Sequence, residues 1–113
     1  MDRIHYAGDS VVTGTEIARA LLEYAHVLAE HDMSATVDIP TLGDDGSLSR
    51  STILIGPSSQ LISDAEESEH EELIDDEVVA KLEHDAEELR RGDVITPVAA
   101  DEVSQEDGWL DDL

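Results

Sequence analysis

The sequence predicts an α+β fold: a small, mainly antiparallel sheet (β-α-β-β-β) covered by one helix, then a second acidic helix and an extended acidic tail. Three observations predict it. Residues 16–31 carry a helical apolar repeat, residues 35–55 alternate around a Gly-Asp-Asp-Gly turn, and acidic charge piles up after residue 60. The expected division is a small α+β domain over 1–63, an acidic amphipathic helix over 64–92, and an acidic tail over 93–113 with Trp and Leu anchors.

Residues 3–7, Arg-Ile-His-Tyr-Ala, read as a strand with Ile4 and Tyr6 on one face, and Gly8-Asp9-Ser10 signals a turn. Val11-Val12 extends the strand after a bulge. Thr13 and Glu16 stand at capping-box spacing and open a helix, with Thr15 the alternative cap. Ile17, Leu21, Tyr24 and Leu28 make one apolar row, and Ala18, Leu22, Ala25 and Ala29 a second, so this helix packs on a sheet. Arg19 and Glu23, four apart, are expected to pair. Residues 32–34 end the helix. Ala35 to Leu42 alternate, and Pro40 argues for an edge strand or a strand end. Gly43-Asp44-Asp45-Gly46 is a hairpin turn, Leu48–Ile55 the return strand, and Gln60–Ser63 a further pairing segment.

Ser68 and Glu71 repeat the capping-box spacing, so the second helix is expected to start within the charge run at 64–72. Leu73, Ile74, Val78, Leu82, Ala86 and Leu89 form its apolar stripe, Glu77/Lys81 and Glu87/Arg91 are its expected pairs, and Arg90-Arg91-Gly92 ends it. A stripe so narrow on so charged a helix points to docking in one groove or to pairing with another helix.

The charge distribution bears most directly on function. Residues 1–60 hold nine acids and three basic residues, and residues 61–113 hold twenty acids and three. Nonspecific nucleic-acid affinity comes mainly from Lys and Arg on phosphates, so direct nucleic-acid binding is not expected. Acidity spread over every face is the signature of salt-loving organisms, whereas the concentration after residue 60 points to a basic protein partner. No apolar run spans a membrane and no secretory signal is visible, so a cytoplasmic protein is expected. The chain has no cysteine. Disulfides and thiolate chemistry are thereby excluded. The aliphatic core is small, and a homodimer would enlarge it.

No catalytic constellation is legible. Thr13-Gly14-Thr15 lacks the glycines and lysine of a phosphate loop, and Gly56-Pro57-Ser58-Ser59 is not a nucleophile elbow. His70 lies among Glu69, Glu71 and Glu72, but neighbours along a helix point to different sides, and no His-Glu-x-x-His pattern exists. Neither an enzyme nor a cofactor or metal is expected. The residues expected to bind a partner are Leu82, Glu83, Glu87, Leu89, Trp109, Leu110, Asp111, Asp112 and Leu113. The apolar ones supply contact and the acids steer association. The alternatives are a structural homodimer with a solvated acidic face, or a DNA mimic whose acids imitate phosphates.

Two resemblances accompany this reading. Arg3-Ile-His-Tyr-Ala-Gly-Asp-Ser-Val-Val-Thr-Gly, with Ile53-Leu-Ile-Gly-Pro-Ser-Ser-Gln-Leu further on, resembles a family of small acidic bacterial proteins with no established function, and transfers no catalytic residues. Residues 77–103, with Leu89-Arg-Arg-Gly-Asp-Val-Ile, are similar in style to the C-terminal halves of type II antitoxins. The resemblance implies an acidic helix and tail wrapped on a basic toxin. Antitoxins typically add a basic DNA-binding N-terminal part, which this chain lacks.

Overall fold

A computed structural model describes residues 1–91. The elements in order are β1 (Asp2–Tyr6), β2 (Asp9–Thr13), α1 (Thr15–Glu30), β3 (Ala35–Leu42), β4 (Leu48–Ile55), β5 (Ile62–Ala65) and α2 (Asp76–Arg91). The fold is α+β, with one antiparallel sheet in the order β4-β3-β2-β1-β5 and two helices.

The first departure from expectation is a hairpin where one bulged strand was expected. β1 and β2 pair fully, with Ile4 opposite Val11 and Tyr6 opposite Asp9. Ala7 and Gly8 both have positive φ, at 50° and 80°. Two such residues make the two-residue turn whose twist matches a hairpin. Alanine rarely adopts that conformation, so the sequence signal was weak.

α1 buries Ile17, Ala18, Ala20, Leu21, Tyr24, Val27 and Leu28, as its periodicity predicts. Its end is a glycine-type cap made by aspartate. Asp32 has φ 55°, and Met33 N donates to Leu28 O at 2.9 Å. Its start differs from the expected capping box. The Thr13 hydroxyl donates instead to Pro40 O at 2.7 Å, and Gly14 occupies the cap position.

β3 and β4 pair over their whole length around the expected turn, where Gly46 has φ 83°. β2 meets β3 at one register pair, Val12 opposite Leu42. Beyond that corner β3 has no second strand among the described residues, which is why Pro40 is tolerated in a strand that is interior in the sheet order. Ile39, Ile53 and Ile55 alternate inward and join Ile4 and the α1 residues in one core.

β5 runs across the boundary expected at Ser63 and pairs with β1, with Ile4 opposite Ser63. The second helix starts at Asp76, not within residues 64–72. Its cap is Asp75, whose Oδ1 accepts from Val78 N at 3.2 Å. Ser68 Oγ accepts from His70 N instead. Leu73 therefore lies before α2, packed on the core, and Ile74 is exposed. Within α2, Leu82 and Ala86 are buried against α1 and the sheet.

Candidate functional site: an acidic groove between the helices

Residues 66–75 strap the end of the sheet to the start of α1. The Arg3 guanidinium donates to both Glu66 oxygens, at 2.6 and 2.9 Å. His70 lies against Gly46. Glu72 accepts from the Met1 amine at 2.8 Å and from Thr15 N at 2.6 Å. A distant carboxylate thus serves the helix N-terminus that the local threonine does not. Asp2 completes the junction, accepting from the hydroxyls of Thr15 and Ser63 at 2.8 and 2.9 Å.

These contacts separate the acids that surround His70 in sequence. Glu72 turns toward α1, while His70 faces the β3–β4 turn. Among the described residues no group of three or more His, Asp or Glu side chains is placed to hold a metal ion. His26 and Glu30 form an exposed pair at 3.4 Å. The carboxylates whose ionisation is visibly displaced all move below the ordinary range. Ser47 holds Asp45 down, Arg3 holds Glu66 down, and the Met1 amine followed by Thr15 N holds Glu72 down. A carboxylate acting as a proton donor at neutral pH needs the opposite displacement.

The Glu72 contact gives a pH-dependent prediction. Its folded carboxyl titrates below the ordinary 4.5, so its stabilisation is present above pH 4.5 and lost as pH falls through the folded value. Glu72→Gln is expected to lower stability by about 1 kcal/mol at neutral pH, a capping-sized effect already reduced by the solvent screening of a half-exposed side chain. Below pH 4.5 the two proteins should converge in urea titrations. A gap that is constant with pH would overturn the assignment.

The other α2 surface faces solvent. Glu83 and Glu87 are exposed, and with Glu16, Arg19, Glu23 and Arg90 they line a groove of about 400 Å³ floored by Ala20 and Ala86. The expected ion pairs are re-partnered there. Arg19 pairs with Glu16 at 2.9 Å rather than Glu23, and Glu23 reaches across to Arg90 of α2. Lys81 pairs with Asp85 at 2.9 Å rather than Glu77, and Arg91 with Glu88 at 3.4 Å rather than Glu87. On the other flank of α2, Tyr24, Val37, Arg50, Lys81 and Asp85 line a second cleft of about 390 Å³. Burial, followed by the nearby Asp85 carboxylate, raises the Tyr24 hydroxyl above its ordinary value.

The expected partner-binding residues therefore separate into three sets. Glu83 and Glu87 lie on one groove, as their spacing on α2 implies. Leu82 is 4% exposed and Leu89 is half-buried on the same core, so neither is a free anchor. Trp109, Leu110, Asp111, Asp112 and Leu113 lie outside the described residues. Glu16 and Glu23, on α1, join the groove without having been singled out. Their place on the solvated stripe of α1 was the available signal. No helix among the described residues is long and apolar enough to cross a membrane. Comparison with protein-family models, with curated proteins and with solved structures finds no match.

Proposed function

We propose that the chain is a non-enzymatic protein-interaction module, antitoxin- or inhibitor-like, whose acidic C-terminal half docks on a basic partner. The observation that supports this reading is the division of α2. Its apolar stripe is spent on its own core, so what it offers outward is charge: Glu83 and Glu87 stand beside Glu16 and Glu23 of α1. Because Arg19 pairs with Glu16 and Arg90 with Glu23 and Glu87, the excess negative charge of the groove rests chiefly on the α2 acids. The alanine floor leaves room for a partner's Lys or Arg side chain to reach Glu83 and Glu87. Attraction of this kind acts mainly on the association rate.

The test compares the full chain with its Glu83→Gln/Glu87→Gln variant as baits. Truncation at Ser63 would not serve, because it cuts β5 and removes α2 from the core. A basic protein retained by the first bait and lost from the second supports the reading. Its association should slow roughly tenfold or more between low and high salt. Both substituted side chains are exposed, so the variant should unfold within about 0.5 kcal/mol of the parent. An association rate indifferent to salt would sink the steering argument.

A further inference from the structure

β4 closes one end of the sheet, and its outer edge pairs with no strand among the described residues. Its eight residues pair with β3 throughout, and its backbone makes no other hydrogen bond among the described residues. The usual guards of an edge strand are charge, proline, brevity or a bulge. β5, at the opposite edge, is four residues long and carries Asp64. β4 has one charge, Arg50, and no proline. Its outward residues include Leu48 and Leu54, 72% and 69% exposed.

The charge on the rest of the chain indicates what covers this edge. The formal net charge is −23. Every other element carries at least one acid, including Asp2 in β1, Asp9 in β2, Asp38 in β3 and Glu16 in α1. β4, Leu-Ser-Arg-Ser-Thr-Ile-Leu-Ile, has none. A second copy of so acidic a chain is repelled from every other element and least from this one. A basic partner, by contrast, meets a cation here. Arg50 has no ion-pair partner among the described residues.

We propose that β4 is a homodimerisation edge, pairing antiparallel with β4 of a second copy to make one continuous ten-stranded sheet. Pleating restricts the register, because residues directly opposite share a face. A two-fold axis at Ser51 sets Leu48 opposite the partner's Leu54, and Leu54 opposite the partner's Leu48. Both exposed leucines are covered by one operation, as cross-strand apolar pairs. Arg50 then stands opposite the partner's Thr52, and no acid enters the ladder.

The test is sedimentation equilibrium of the full chain across a salt series. Like charges must be screened for the copies to meet, so the dimer fraction should rise with salt, the opposite sign to docking on a basic partner. Leu54→Glu, at an exposed position, should give monomer whose unfolding midpoint matches that of the parent at concentrations too low for the dimer. In this cysteine-free chain, Ser51→Cys should cross-link on oxidation, while Ile62→Cys on the β5 edge should not. A monomer at all salt concentrations overturns the proposal, as does a dimer indifferent to Leu54→Glu or a dimer favoured by low salt. A monomer whose β4 amides resist hydrogen exchange also overturns it, and would place another part of the same chain on the edge.

Discussion

Leu82→Ala should destabilise the protein by about 2–4 kcal/mol, the range for removing a buried leucine side chain. Leu82 is 4% exposed and packs with Ala86 against the core formed by α1 and the sheet isoleucines. Small domains are marginal, so a loss of this size is a large share of the total. The measurement is urea unfolding followed by circular dichroism. The comparison of interest is with a leucine that waits for a partner. Such a residue would give an unchanged midpoint and a weakened complex. A change below about 0.5 kcal/mol, the range of ordinary surface substitutions, would return Leu82 to the partner surface. The same result would free α2 from the fold.

Gly14→Ala should cost about 1–3 kcal/mol, through crowding rather than backbone strain. Gly14 has φ −68° and ψ 152°, which any residue adopts. A Cβ there would overlap the carbonyl oxygen of Leu73, a backbone atom that no side-chain rotation can move aside. The substitution thus pushes the 66–75 strap off the start of α1, and with it the Glu72 carboxylate that serves Thr15 N. Faster amide exchange at Leu73 and Thr15, together with a lowered midpoint, is the expected signature. A fully stable Gly14→Ala protein would show that the strap does not lie there.

These two residues also show where the sequence was legible. The α1 face from Ile17 to Leu28 could be read because its apolar period is local and matches its burial. The turn at Gly43–Gly46 could be read because glycine supplies the positive φ. The β1–β2 hairpin was missed because alanine occupies a position where glycine or asparagine is usual. The start of α2 was misplaced for a different reason. Ser68-x-x-Glu71 has the spacing of a cap, but Glu66 and Glu72 are held by Arg3, the Met1 amine and Thr15, all more than fifty residues away. Leu82 illustrates the same difficulty at the site. An apolar helical stripe looks identical whether it meets its own core or another protein. The acids at 83 and 87 were easier, since charged side chains on the polar face of a helix remain outside whichever way the stripe is used.

The place of β1 in the sheet bears on how the chain comes to fold as it is made. β1 has β2 on one side, joined through a two-residue turn, and β5 on the other, with His5 opposite Ile62. The first neighbour emerges from the ribosome almost at once. The second arrives only after β3, β4 and their connections have been synthesised. Until then β1 keeps an open side of unpaired amides and carbonyls. The burial that Leu82 and Ala86 provide comes later still. Nascent chains of this topology can close the two hairpins locally but cannot finish the sheet until β5 is made. They complete it in one late, long-range step, the kind of closure whose entropy slows folding and whose open edge chaperones shield.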